Sequence, residues 1–95
     1  MRYEIIFSPE AIEDLDDLTA YWQARVKDAI KTHLRYEPTK ESKSRIKRLR
    51  GLSRPQYRLR EDDIRVFYDV SFNTVEILGI VAKSEAETWL NRIGE

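Results

Sequence analysis

At 95 residues, with 41% hydrophobic and 36% charged side chains, the chain is long enough for one core, too short for two domains, and globular rather than disordered in composition. It has no cysteine, which removes disulfides and thiolate metal sites, and no apolar run long enough to span a membrane. Seventeen basic and seventeen acidic residues give zero formal net charge, a balance that argues against a nucleic-acid binder until its distribution is read.

The elements follow in order. Arg2 to Phe7 alternates, with Tyr3, Ile5 and Phe7 on one face, as a half-buried strand does. It lacks the apolar core of a signal peptide, so a cytoplasmic location is expected. Ser8-Pro9-Glu10 then reads as a helix start, with Ser8 as cap and Pro9 at the first helical position. Ala11, Leu15, Leu18 and Trp22 form one apolar stripe, and Val26, Ile30 and Leu34 form a second. The run ends at Pro38, too long for one helix in so small a chain, so the spacing predicts a helical hairpin that breaks between Thr19 and Lys27.

A polar linker, 37 to 42, precedes a short strand around Lys47 to Arg50 and a turn at Gly51 to Pro55. Gln56 to Arg60 alternates strictly, Tyr57 and Leu59 inward and Arg58 and Arg60 outward. Glu61-Asp62-Asp63 reads as a solvated hairpin loop, Ile64 to Val70 as a strand rich in β-branched and aromatic residues, and Thr74 to Ala82 as a central strand in which Gly79 permits a bulge or a close approach. Ser84 is the expected cap of a last amphipathic helix carrying Ala86, Trp89, Leu90 and Ile93. The expected fold is α+β: a small antiparallel sheet of about four strands, an N-terminal helical hairpin and a short C-terminal helix, with the helices on one face.

The three glycines are far apart, so no phosphate-cradling loop exists. The single His33 lies mid-helix without a second histidine and reads as structural, and adjacent carboxylates at 61 to 63 read as a solvated loop rather than a metal site. No metal or cofactor is therefore expected. What stands out is residues 43 to 60, which hold eight Lys/Arg and no Asp/Glu, against six and nine before it and three and eight after it. The bland account is a solvated edge that keeps a strand from aggregating. Three features favour a surface for polyanionic RNA: the window is uninterrupted by acids, Arg outnumbers Lys six to two, and Arg58 and Arg60 share a strand face where two guanidiniums fork onto one phosphate. Arg65, across the hairpin, stands close enough to join them. Lys43, Arg45, Lys47, Arg48, Arg50 and Arg54 would then hold the rest of the strand. RNA carries its own nucleophile in the 2′-hydroxyl, so such a site need only impose in-line geometry and stabilise the charge of the transition state.

Arg48-Leu49-Arg50-Gly51, Tyr57-Arg58-Leu59-Arg60, the acidic hairpin, Ile64-Arg65-Val66-Phe67-Tyr68-Asp69-Val70, the apolar strand and Lys83 before the last helix together resemble the RelE/ParE superfamily of toxins from bacterial type II toxin–antitoxin pairs. The resemblance runs over nearly the whole chain. It implies an RNase-like α/β microfold and, for the RelE branch, ribosome-dependent cleavage of mRNA without metal. It implies catalytic roles for Arg58 and Arg65, with Arg60 beside them, and for Lys83, which stands where the family commonly places an arginine. A tyrosine assists proton transfer in some members where this chain has Trp89; Trp89 is then a stacking or core residue, and Tyr68 is another residue able to move a proton. The ParE-like alternative inhibits DNA gyrase without nuclease activity, and a catalytically inactive RNA- or partner-binding module is a third class. The implied partners are a cognate antitoxin, in a hetero-oligomer, and the ribosome with its mRNA.

Overall fold

Because Tyr3, Ile5 and Phe7 alternate with polar or exposed neighbours, the N-terminal segment forms a strand with one face on the core, and the computed structural model, which describes residues 1–95, places it as β1 at Glu4–Phe7. Ser8 caps the first helix, accepting from the Ala11 amide at 3.1 Å, with Pro9 at its first position. That helix, α1, is Pro9–Asp16, and α2 is Ala20–Leu34. The hairpin therefore breaks at 17 to 19, just ahead of the expected interval, where Thr19 leaves helical geometry to cap α2 and accepts from Trp22 N.

Strands β2 (Ile46–Arg48), β3 (Tyr57–Glu61), β4 (Ile64–Ser71) and β5 (Thr74–Ala82) follow, then a single 3₁₀ turn, Lys83–Glu85, and helix α3, Ala86–Ile93. No helix is long and apolar enough to cross a membrane. The α+β fold class is as expected, but the sheet has five strands in the order β1-β5-β4-β3-β2, and it is mixed, since β1 runs parallel to β5 from Glu4↔Thr74 to Phe7↔Ile77. The other pairs are antiparallel. Ser84 does not cap α3: the 3₁₀ turn intervenes and α3 begins without a side-chain cap.

The helices do not share one face. α1 and α2 cover the face carrying Leu59, Val66, Tyr68, Val75, Ile77 and Ile80, whereas α3 lies on the opposite face, where Trp89 packs on Phe67 and Leu78. A register shift between Phe67 and Tyr68, against Gly79 and Ile77, makes the bulge that Gly79 suggested. α1 serves that irregular segment: Asp14 Oδ2 accepts from the Ile80 amide at 3.0 Å and Ser8 Oγ donates to the Leu78 carbonyl at 3.2 Å. Polar groups that the bulge takes out of the ladder are thereby satisfied.

Candidate functional site

Strand alternation sends Tyr57, Leu59 and Glu61 to the helix-hairpin face and Arg58 and Arg60 to the other. Pairing then places Lys47 opposite Arg58 and Arg60 opposite Arg65, so three strands deliver four cations to one patch. None of the four takes part in any ion pair of the molecule. Like charges directly opposite one another on a sheet are destabilising, so the patch is held at an energetic cost that an anion would relieve.

The electrostatics of the arginines follow from this placement. Burial lowers the affinity of the Arg58 guanidinium for its proton, and the charges of Arg65 and Arg60 lower it further. Arg65 is shifted the same way, first by burial and then by Arg60, with Asp63 opposing. Arg58 Nε is the one buried side-chain nitrogen or oxygen of the chain without a hydrogen-bond partner. Such a donor is normally satisfied, and here an anion on the sheet face would satisfy it. Arg65, expected to stand close enough to join Arg58 and Arg60, is buried, and its Nη1 donates to the carbonyls of Asp62 at 2.7 Å and Ile64 at 3.1 Å. It fastens the hairpin and carries charge to the patch at once. Lys83 stands at the same end of the sheet, exposed, its amide donating to the Asp63 carbonyl at 2.7 Å.

The remaining basic residues divide. Arg54 is neutralised by Asp69 at 3.4 Å and Glu76 at 3.2 Å, and Arg45 by Glu61 at 2.6 Å, so neither is the free phosphate contact that the basic run suggested. Arg48 lays its guanidinium over the Tyr57 ring, 5.1 Å from the centroid. Lys43 and Arg50 are exposed on either side of β2.

Of the two residues considered for stacking or proton transfer, Tyr68 lies on the face opposite the patch, whereas Trp89 lies on the patch's own face, on Phe67 opposite Arg58, and is taken up by the core there. Tyr68 is fully buried on the helix-hairpin face, its hydroxyl donates to the Pro38 carbonyl at 2.6 Å, and burial pushes its pKa far above the ordinary phenol value. It faces away from the arginines and cannot reach them. Trp89 is buried and stacked on Phe67, with ring centroids 4.8 Å apart and planes 6° from parallel, so it serves the core and has no face left for a base.

Glu61 is the residue that the sequence reading missed. It was grouped with a solvated loop, yet it is buried and bridges Arg25 at 2.5 Å and Arg45 at 2.6 Å. The signal was available: Glu61 is two residues past Leu59, on the inward face of an alternating strand, and an inward carboxylate needs a cationic partner. Nowhere in the chain do three or more histidine, aspartate or glutamate side chains converge as metal ligands would.

The mixed five-strand sheet with a helical hairpin on one face is a fold shared with solved toxins of toxin–antitoxin complexes, and the sequence agrees. Residues 5–87 match the family model described as "ParE toxin of type II toxin-antitoxin system, parDE", and the chain belongs to that family, within the RelE/ParE superfamily. It is a toxin of the type II toxin–antitoxin class. The structure is similar to the RelBE2 toxin–antitoxin complex of Mycobacterium tuberculosis, with 25% identity over 86% of this chain and 92% of that one and a TM-score of 0.75. It is also similar to the archaeal RelE–RelB complex of Pyrococcus horikoshii, with 26% identity over 87% and 97% and a TM-score of 0.70. Free E. coli RelE, in a form with two arginines replaced by alanine, shares the fold at 18% identity, over 98% and 99%, with a TM-score of 0.59. No curated protein matches the sequence.

Proposed function

We propose that this toxin is a ribosome-dependent endoribonuclease that stops translation by cutting mRNA, with the RNA 2′-hydroxyl as nucleophile. The observation that carries the reading is the Arg58, Arg60 and Arg65 patch: three guanidiniums and Lys47 without a carboxylate partner, and one buried Nε donor left open. A scissile phosphate on this patch would receive charge-assisted hydrogen bonds as negative charge builds in its transition state, the kind of stabilisation whose single-donor loss costs about a hundred- to a thousandfold in rate. Lys83, at the same end of the sheet, would contribute a further cation. A cognate antitoxin is the natural partner, a role supported by the RelB-bound state of the similar toxins and by the exposed positive charge an acidic segment would cover.

The test is a translation extract supplied with the protein. Cleavage of mRNA is expected only when ribosomes are present, and the Arg58→Ala/Arg60→Ala/Arg65→Ala variant should lose it together with growth inhibition. Cleavage that survives the triple replacement would remove the patch from the reaction. A second reading, inhibition of DNA gyrase without nuclease activity, is favoured by the ParE description of the matching family and by the burial of Tyr68 on the face opposite the patch. Loss of supercoiling activity in purified gyrase, with mRNA intact, would establish it.

A further inference from the structure

Arg60 and Arg65 stand directly opposite one another at the end of a two-residue hairpin, where their repulsion would splay the strands. Something must hold them. Immediately beyond Arg60, the buried Glu61 carboxylate offers Oε2 to Arg25 of α2 at 2.5 Å and Oε1 to Arg45, ahead of β2, at 2.6 Å. Arg45 also grips Arg60 by the backbone from both sides: the Arg60 amide donates to the Arg45 carbonyl at 2.8 Å, and Arg45 Nη1 donates to the Arg60 carbonyl at 3.3 Å. Arg25 is itself fixed, over the Trp22 ring at 4.9 Å and bonded to the Tyr21 hydroxyl at 3.2 Å, and it reaches Asp62 Oδ2 at 3.5 Å. The carbonyl of Asp62 in turn holds Arg65 Nη1.

We infer that Glu61, with Arg25 and Arg45, is a clasp that presets Arg60 and Arg65 for an anion, making Glu61 and Arg45 positioning residues of the patch rather than solvated loop and RNA contact. The inference rests on the anion-binding reading of the patch given above. The clasp lies on the face opposite the anion, since Glu61 points to the helix hairpin while Arg60 points away from it. A ligand therefore meets a guanidinium pair whose backbone geometry is already set, and the ordering cost is met in folding rather than at binding. It also explains why Arg45, though inside the basic run, is spent on a carboxylate: the run contains both the contacts and part of their frame.

Position and charge make opposite predictions, which gives the test its force. Glu61→Gln removes a negative charge close to the patch, so long-range electrostatics alone would tighten anion binding. A broken clasp would weaken it. The experiment titrates the intact protein with inorganic pyrophosphate, following the Nε–Hε resonances of Arg58, Arg60 and Arg65 by NMR, in the parent, Glu61→Gln and Arg45→Lys forms. Arg45→Lys keeps the charge but loses the fork to Glu61 and the Arg60 carbonyl, and it serves if Glu61→Gln does not fold. The expected result is binding weakened about tenfold in each folded variant, with the Arg60 and Arg65 side chains more mobile before ligand is added. Equal or tighter binding in the variants overturns the clasp while leaving the anion site in place. A parent protein that takes up no pyrophosphate overturns the anion site and the clasp with it.

Discussion

Replacing Gly79 by alanine probes the packing of α3 on the second face of the sheet. A Cβ at that position would lie 2.6 Å from Trp89 Cε2, closer still to Cζ2, and 3.0 Å from Nε1, nearer than real Cβ atoms come. The backbone there is not left-handed, so the clash alone decides the outcome. Phe67, the residue paired with Gly79 across the strands, stacks on a face of the indole and blocks a shift perpendicular to its plane. The indole must lift, and α3 with it. Overpacking of this kind costs about 1–3 kcal/mol, and complete loss of a buried Trp or Phe side chain costs about 3–5 kcal/mol, so Gly79→Ala should fall near 2–3 kcal/mol, in the upper part of the first range and no higher than the bottom of the second. At roughly 4–8 °C per kcal/mol for a chain of this size, the midpoint of thermal unfolding should drop by about 10–20 °C. Urea unfolding of the parent, Gly79→Ala, Trp89→Ala and double variants completes a cycle. Alanine at 79 should cost far less once the indole is gone. A Gly79→Ala protein within about 0.5 kcal/mol of the parent, or strict additivity in the double variant, would refute the packing argument.

Two further outcomes follow from the charges. Burial alone would raise the pKa of Glu61, but hydrogen bonds from Arg25 and Arg45 outweigh it, and the net shift is downward. The stability this carboxylate contributes is therefore present above its unfolded value, near about 4.3, and is lost as pH falls toward the lower folded value. Denaturant unfolding measured from neutral to about pH 3 should show the parent losing stability more steeply in the acid range than Glu61→Gln; parallel curves would contradict the ion-pair assignment. For RNA, five cations stand at the patch itself, leaving out the flanking Lys43, Arg48 and Arg50 and the ion-paired Arg45 and Arg54: Lys47, Arg58, Arg60, Arg65 and Lys83. Binding of a single-stranded oligonucleotide should then fall with salt at a log–log slope near about −3.5, and a flat dependence would favour a protein target.

The strands were readable because a period of two needs only one buried face to declare itself. Tyr57, Leu59, Arg58 and Arg60 lie on the faces their alternation assigned, and Gly79 marked both the bulge and the approach of Trp89. Helix α3 was legible as amphipathic, but a stripe does not say which side of a sheet it covers. The clue lay in β4 and β5, where Phe67 and Leu78 present apolar groups on the face that Val66 and Ile77 do not, so a second layer was required. The break between α1 and α2 contains neither Gly nor Pro; its signal was the capping ability of Thr19, easily lost beside a continuous apolar stripe. At the patch, composition identified the cations but could not separate contacts from frame. Arg45, Arg54 and Arg65 have the same chemistry as Arg58 and Arg60, and only their partners distinguish them: carboxylates distant in sequence for Arg45 and Arg54, and the carbonyls of the adjoining hairpin for Arg65.

That distinction bears on how a phosphodiester would be cut. Tyr68, the side chain considered for proton transfer, is sealed in the core, Trp89 stands where a tyrosine would serve and has no titratable proton in the useful range, and the guanidiniums that remain are acids too weak to exchange protons near neutrality. Burial and mutual repulsion lower their proton affinities, yet a guanidinium is not deprotonated in a protein near neutrality. The patch can therefore stabilise a transition state without supplying the base that creates the nucleophile. Cleavage that relies on solvent hydroxide to deprotonate the 2′-hydroxyl has a rate that rises with pH, with a log slope near about one, and shows no bell between about pH 6 and 9. Single-turnover cleavage of ribosome-bound mRNA across that range should give this line, and Tyr68→Phe should leave it unmoved once protein stability is matched. A bell-shaped profile, or a line that shifts with Tyr68→Phe, would show that proton transfer is positioned in the complex and that transition-state charge stabilisation by Arg58, Arg60 and Arg65 is not the whole of the chemistry.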